Sequence, residues 1–207
     1  MIQKNKIEEI FVLAEAYHKK NNFIEAQKLY ESIVKIEPNH LESIFRLGSL
    51  FAQINNFDKA INFLSKVIEI EPNHSKAHNN LGIVFNSLRQ YQKAKYYFEK
   101  AIEINPKHEE AYNNLGSVFF ELDKFENAIK CYHKAIEINS KHYDAIKNIS
   151  ILFRQVSIDV FASVDRERLR KLFLLLYKRD DIEHKDIFLN AKKILLTKEN
   201  YIQLKQT

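Results

Sequence analysis

Two side-chain types recur at a fixed interval in this 207-residue sequence, and both could do chemistry. Histidine recurs every 34 residues, at His40, His74, His108 and His142. Asparagine recurs at the same interval, at Asn80, Asn114 and Asn148. Histidine is a common metal ligand and general base. A side-chain amide offers both a donor and an acceptor, which is what an extended peptide backbone needs from a binding surface.

The histidine row does not have the geometry of a metal site. Metal ligands lie about 2 Å from one ion, whereas stacked helices lie about 8–10 Å apart, so one histidine per repeat cannot converge. We interpret these histidines as residues that flank the starts of helices. His184 lies in an acidic stretch, residues 180–186, where carboxylates at a helix start suit capping and the helix dipole. We predict no metal site.

Catalytic motifs are absent from the sequence. Three glycines are too few for a phosphate-binding loop, a dinucleotide fingerprint or a nucleophile elbow. Cys131 is the single cysteine, so no internal disulfide or cysteine-rich metal site can form. No activating base is evident beside it. We predict no catalytic residue, no cofactor and no enzymatic activity.

The helix-breaking residues share the period of 34 and define the elements that position the polar rows. The prolines are Pro38, Pro72 and Pro106, and the glycines are Gly48, Gly82 and Gly116. Within each period, apolar residues are spaced for one face of a first helix and then for one face of a second. A short polar break separates the two, and the proline ends the second helix. The sequence therefore predicts an all-α fold of antiparallel helix pairs that bury their apolar faces only by stacking.

This pattern resembles the tetratricopeptide repeat family, which has the same length and the same small, aromatic and proline positions. The resemblance implies a right-handed α-solenoid, a superhelix in which the first helix of each repeat lines the concave surface. Four repeats are expected over 7–142, with the bounds 7–40, 41–74, 75–108 and 109–142. Residues 143–155 match the first helix of a degenerate fifth repeat.

The rest of the chain, residues 156–207, leaves the repeat register. A loop is expected over 156–164, an amphipathic helix over 165–179 and a last helix to about residue 196, after a capping box that begins at Asp180. An open end of a solenoid exposes an apolar face. We therefore predict that these helices form a C-terminal cap.

The resemblance also places a peptide-binding groove on the first helices. The expected groove residues occupy repeat positions 5 and 6, counted from Ile7. They are Arg46, Asn79, Asn80, Asn113, Asn114, Lys147 and Asn148. Asn80, Asn114 and Asn148 match the asparagine ladder in the tetratricopeptide arm of O-linked N-acetylglucosamine transferases, which grips substrate peptides. Asparagine is also common at these positions in the family consensus, so packing alone is the alternative.

Other ligands fit the sequence less well. The carboxylate clamp of chaperone-binding relatives needs lysine and asparagine where this chain has Phe11 and Glu15. Nucleic acid needs a basic groove, but repeat position 2 is mostly acidic, as at Glu42 and Glu110. Basic residues at 166–171 are diluted by Glu167 and are interpreted as a solvated face. We predict a protein or peptide ligand and no nucleic acid.

The sequence thus indicates a protein–protein interaction scaffold, or adaptor, that binds a partner polypeptide in the concave groove. The alternative is a substrate-recognition arm of a glycosyl-, sulfo- or methyltransferase, or a partner of one. The longest apolar run has six residues, 172–177, whereas about 20 are needed to span a bilayer. No signal core precedes the repeats. We expect no membrane span and a cytoplasmic location, with self-association if the outer helices expose apolar surface.

Overall fold

Helix pairs account for the described part of the chain. The computed structural model describes residues 2–155 and 169–173, with side chains from residue 5 onward. Residues 169–173 are helical. The other helices are α1 (Ile2–Lys19), α2 (Phe23–Ile36), α3 (Leu41–Gln53), α4 (Phe57–Ile70), α5 (Ser75–Ser87), α6 (Tyr91–Ile104), α7 (Glu109–Glu121), α8 (Phe125–Ile138) and α9 (Tyr143–Gln155). The all-helical fold expected from the 34-residue period is confirmed.

A left-handed residue ends the first helix of each of the four pairs. The residues with positive φ are Asn21, Asn55, Arg89 and Asp123, each at 56–59°. Asparagine and aspartate tolerate this conformation better than other non-glycine residues. Asn22 and Asn56 follow and cap the second helix, because each side chain accepts from the backbone N–H three residues on. The expected polar break is therefore a tight turn that reverses the chain.

The glycines lie where the two helices of a pair approach each other. A Cβ atom added to Gly82 would lie 2.6 Å from the ring of the buried Phe98, and one added to Gly116 would lie 2.6 Å from the Tyr132 ring. Such distances are too short for any side chain without a shift of the ring. The small residue at repeat position 8 thus permits the large buried side chain at position 24.

The chain divides into two compact units, Met1–Pro106 and Lys107–Thr207. Unit 1 contains α1–α6, and unit 2 contains α7–α9 and the helical residues 169–173. Each unit has its own apolar core. The fully buried side chains include Tyr30, Phe51, Leu64 and Phe98 in unit 1, and Ile129, Ile136 and Phe153 in unit 2.

Part of the predicted C-terminal cap lies within the described residues. Leu169, Leu172 and Phe173 are buried in unit 2. The ring centroid of Phe173 lies 4.6 Å from that of Phe153 on α9, so the segment packs on the apolar face of α9. The rest of the cap, 156–168 and 174–207, lies outside the described residues. Within the described part of the chain, no helix is both long enough and apolar enough to cross a membrane.

Candidate peptide-binding face

The recurring histidines are helix N-caps. The Nδ1 atom of His40 accepts from the backbone N–H of Ser43 at 3.2 Å, and His74 makes the same bond to Ala77 at 3.1 Å. His142 accepts from Ala145 at 3.3 Å. The N-cap residue of α7 is the buried His108. The interpretation of these histidines as residues that flank helix starts is confirmed, and the side chains of His40, His74 and His142 each satisfy a backbone donor that a helix end leaves open.

Side chains on the first helices pair at a constant separation of 31 residues. Repeat position 9 of one first helix contacts position 6 of the next. The observed pairs are Glu15 with Arg46, Ser49 with Asn80, and Ser117 with Asn148. We call each pair a rung. The Glu15–Arg46 pair is the ionic rung, and the two serine–asparagine pairs are the amide rungs. The first two rungs belong to unit 1, and the third belongs to unit 2.

The ionic rung holds an arginine between two carboxylates. An Nη atom of Arg46 lies 2.7 Å from an Oε atom of Glu15 and 3.2 Å from one of Glu42. The guanidinium carbon also lies 5.9 Å from the centre of the Phe45 ring. Two carboxylates face one cation here, so the charges of the three side chains sum to −1. Arg46 is therefore already paired with side chains of this protein, and this part of unit 1 carries a small net negative charge.

The first amide rung fixes the orientation of Asn80. The Ser49 hydroxyl donates its single proton to the carbonyl oxygen of Phe45, at 2.9 Å. Ser49 can then only accept from the asparagine, and Asn80 Nδ2 donates to Ser49 Oγ at 2.9 Å. The amide nitrogen thus faces Ser49, which leaves the Oδ1 acceptor and the second N–H of the half-buried Asn80 to meet other groups.

The second amide rung repeats this arrangement in unit 2. The Ser117 hydroxyl donates to the carbonyl oxygen of Asn113 at 3.2 Å, and it accepts from Asn148 Nδ2 at 3.4 Å. Asn148 Nδ2 also donates to Asn113 Oδ1 at 3.0 Å. The Tyr132 hydroxyl donates to Ser117 Oγ at 3.3 Å. Desolvation by burial raises the pKa of Tyr132 to about 12, so the hydroxyl remains a donor at neutral pH.

The structure separates the seven expected groove residues into two groups. Asn79 and Asn113 are only 6% and 7% exposed. Position 5 was expected to face the groove together with position 6, but here its asparagines are buried in the packing between helices. Exposed surface remains on the other five expected residues. These are Arg46, Asn80, Asn114 and Asn148, all half-buried, and the exposed Lys147.

The partners that orient the asparagines were missed by the sequence analysis. Ser49 and Ser117 lie at position 9, which otherwise reads Glu15, Ile83 and Ile151. The signal that could have found them is the 31-residue separation, at which serine precedes asparagine twice and glutamate precedes arginine once. At the same separation before Asn114 the sequence has Ile83.

The repeat family is established by comparison with family models. Models described as tetratricopeptide repeat match residues 11–81, 75–108 and 109–142, which together cover more than half of the chain. The chain therefore belongs to the tetratricopeptide repeat family. No curated protein matches the sequence.

Solved structures share this fold. One crystal structure of MamA is 24% identical, with a TM-score of 0.64, and the match covers 80% of this chain and 92% of that one. MamA from Desulfovibrio magneticus RS-1 is 21% identical, with a TM-score of 0.60, over 68% of this chain and 79% of that one. YrrB, described as a TPR protein with an unusual peptide-binding site, is 20% identical, with a TM-score of 0.59, over 68% and 73%. These likenesses confirm the α-solenoid class.

Proposed function

We propose that this protein is an interaction scaffold that binds a segment of a partner polypeptide along the first helices of its repeats. Membership of a family built for protein recognition supports this proposal, as does the similarity to YrrB, a structure with a peptide-binding site. The transferase-arm alternative gains no support from the matched family or from these structures.

The observation that carries the proposal is the fixed orientation of the amides. Because Ser49 and Ser117 donate to backbone carbonyls, they accept from Asn80 and Asn148 and hold those side chains in place. A held amide loses little conformational entropy when a ligand binds. Asn80 retains an acceptor and one donor for the N–H and C=O groups of a peptide backbone, whereas Asn148 uses both N–H groups on Asn113 and Ser117 and retains its Oδ1 acceptor. Such contacts recognise an extended chain largely without regard to its side chains.

Side chains beside the amides would supply the selectivity. The exposed Ile83 lies one helical turn from Asn80 on α5 and offers an apolar contact. Lys147 adds an exposed positive charge next to Asn148, whereas Arg46 is already paired with carboxylates. We propose that unit 2 favours a ligand segment that carries an acidic residue.

The remaining sequence predictions stay part of this proposal. Residues 143–155 would serve as the first helix of a fifth repeat, and 156–207 would cap the array. The scaffold would act in the cytoplasm, bind protein rather than nucleic acid, and perform no catalysis.

The test is affinity capture from native lysate, read by mass spectrometry, with the triple variant Asn80→Ala/Asn114→Ala/Asn148→Ala beside the wild type. Partners that bind through the amides should be depleted about tenfold or more, because several hydrogen bonds of about 0.5–1.5 kcal/mol each are lost. Circular dichroism must first show that the helical signal and the melting transition are retained.

A matched control uses three exposed asparagines elsewhere in the repeats, in the variant Asn62→Ala/Asn73→Ala/Asn127→Ala. This control should capture the same partners as the wild type. If the first triple variant also captures them undiminished, the amides serve packing alone and the proposed binding face is wrong.

A further inference from the structure

One exposed face of α1 is apolar where contact with solvent would favour polar residues, and we call it the outward face. Val12 is 58% exposed and Leu13 is 48% exposed. Together with Glu8, Glu9 and Ala16 they line one shallow depression. Among the described residues, no other helix covers these side chains.

Comparison with the other repeats shows which surface is left open. Repeat position 7 is leucine in α1, α3, α5 and α7, and position 10 is apolar in all four helices. Both positions are buried in α3, α5 and α7, at Leu47, Leu50, Leu81, Val84, Leu115 and Val118. In α1 the same positions are Leu13 and Ala16, and both are exposed. The open surface of α1 is therefore the one with which the other first helices pack.

One residue on this face breaks the repeat pattern. Position 6 is polar in the later first helices, at Arg46, Asn80, Asn114 and Asn148. In α1 it is Val12, which is 58% exposed, whereas the four polar residues are all half-buried. The repeat pattern explains the leucine at position 7, but it does not explain a valine here. An apolar residue added to an exposed helix face favours a protein partner.

The charges on the same face are separated along the helix. Glu9, Leu13 and Ala16 form a single stripe on α1, at spacings of four and three residues. Lys20, the first residue after the helix, continues this stripe, because its N–H still donates to the Ala16 carbonyl oxygen at 3.3 Å. The buried Ile7 and Ala14 lie on the opposite side of the helix. The stripe thus begins with an acid, ends with a base and has its apolar residues between them. Such a stripe is complementary to itself when a second copy runs antiparallel.

We propose that the outward face of α1 binds the same face of a second copy of this chain, in a two-fold symmetric, antiparallel helix pair. Leu13 of each copy then packs on Ala16 of the other, and Glu9 of each copy pairs with Lys20 of the other. One register gives both pairings. Residues 9 and 20 are equally far from the midpoint of the stripe, and so are residues 13 and 16. An isologous interface needs this kind of self-complementary pattern.

The small side chain of Ala16 suits the point where the two helices cross, since it lets the backbones approach and receives the leucine of the other copy. One 18-residue helix, about 27 Å long, offers a limited area. Interfaces below about 1,200 Å² are weak or transient. The dimer is therefore a reversible one, which forms in the micromolar range or above.

The test is sedimentation equilibrium of the full chain over a wide range of protein concentration at low salt. The wild type should pass from the 24.6 kDa monomer to twice that mass. Leu13→Glu should weaken the dimer by about tenfold or more, because two leucines leave the interface together and two like charges enter it. Ile24→Glu is the matched control, because Ile24 is 69% exposed on α2 and outside the stripe. It should dimerise like the wild type.

Charge exchange tests the orientation. Glu9→Lys and Lys20→Glu should each dimerise less than the wild type, whereas an equimolar mixture of the two should form a heterodimer. The double variant Glu9→Lys/Lys20→Glu should recover the wild-type constant, because both antiparallel pairs are restored. A parallel pair would place position 9 on position 9, so the single variants would then behave like the wild type.

Three results would overturn the proposal. A monomer at every concentration would mean that another segment, such as residues 156–207, or nothing at all covers the face. A dimer that tolerates Leu13→Glu would use a different surface. Single charge variants that dimerise like the wild type would reject the antiparallel register. None of these results bears on the amide rungs, so this proposal and the peptide-binding proposal can fail separately.

Discussion

The ionic rung and the amide rungs occupy equivalent positions and behave differently. In each case a side chain at repeat position 9 contacts one 31 residues later. In the ionic rung, Arg46 uses its charge on Glu15 and Glu42. In the amide rungs, a serine accepts from one N–H of an asparagine, and the asparagine retains its Oδ1 acceptor for a ligand. The same backbone geometry therefore gives a charge that is paired within the chain in the ionic rung, and amides that keep a group for a ligand in the amide rungs.

The tyrosines behind the rungs show the same difference. Tyr30 and Tyr132 share repeat position 24, and both are buried. The Tyr132 hydroxyl donates to Ser117, a member of the second amide rung. The Tyr30 hydroxyl is buried and has no hydrogen-bond partner among the described residues. Serine at position 9 thus organises both a surface amide and a buried phenol, whereas Glu15 at that position is engaged with Arg46.

The largest effect is expected when Ser117 is removed. Ser117→Ala takes away one acceptor of Asn148 and the acceptor that the structure gives the buried Tyr132 hydroxyl. An orphaned buried group costs about 1–3 kcal/mol, so the free energy of unfolding should fall by that amount in urea denaturation. Ser87→Ala is the control, because the exposed Ser87 hydroxyl donates to the Ile83 carbonyl oxygen within its own helix. Equal small losses in both variants would show that the amide rung does not stabilise unit 2.

Smaller changes in the free energy of unfolding are expected when either tyrosine is replaced, and the two replacements should differ in sign or size. Tyr132→Phe should lower the free energy of unfolding by about 0.5–1.5 kcal/mol, because a hydrogen bond is lost. Tyr30→Phe should leave it unchanged or raise it, because an unpaired buried hydroxyl disappears. Thermal and urea unfolding of the two variants measure this difference. If the two variants lose stability equally, Tyr30 has a partner and the contrast between the rungs does not hold.

Alkaline titration compares the same two tyrosines. Burial raises the pKa of each tyrosine from 10.0 to about 12. Tyrosines of the unfolded chain ionise near pH 10, whereas these two stay neutral in the folded chain until about pH 12. Their ionisation therefore favours the unfolded chain, and the free energy of unfolding falls as the pH rises from 10 towards 12. The contribution of these two tyrosines to the free energy of unfolding should be constant below pH 10 and fall above it. Ultraviolet absorbance should show a late-titrating group of tyrosines that includes Tyr30 and Tyr132, and each Phe variant should remove one member of it.

The smallest effect is expected in the ionic rung. Glu15→Gln removes one of two carboxylates around a partly exposed arginine, and such pairs contribute about 0.2–1 kcal/mol. The loss should shrink in 1 M salt, since mobile ions screen exposed charges. Ser49→Ala, by contrast, should show no salt dependence. A loss in Glu15→Gln that is large and independent of salt would mean that this rung is structural, like the amide rungs.

The sequence predicts the fold because the local signals repeat in register. Proline, glycine and alanine recur at 34 residues, and the apolar positions between them allow only a helix pair. Gly82 and Gly116 are where the pairs approach, as expected. The recurring histidines cap helices, as their place before each first helix indicates.

The site was harder to predict, because it depends on contacts between repeats. Helical periodicity places Asn79 and Asn80 side by side, but it does not say which of them the neighbouring helix covers. The structure buries Asn79 and leaves Asn80 half-exposed. Likewise, the bond from Ser49 to Asn80 crosses from α3 to α5. Its direction depends on where the serine proton goes, which the sequence does not show.

The most direct measurement of the central claim is photo-cross-linking from two matched positions. A benzophenone amino acid replaces Ile83 on a first helix, next to Asn80, or Tyr96 on a second helix; both side chains are exposed. Neither change touches an amide rung. In native lysate, the Ile83 probe should cross-link partner polypeptides, the yield should fall in the triple asparagine variant, and the Tyr96 probe should give little product. Equal products from both probes, or from Tyr96 alone, would contradict binding on the first helices.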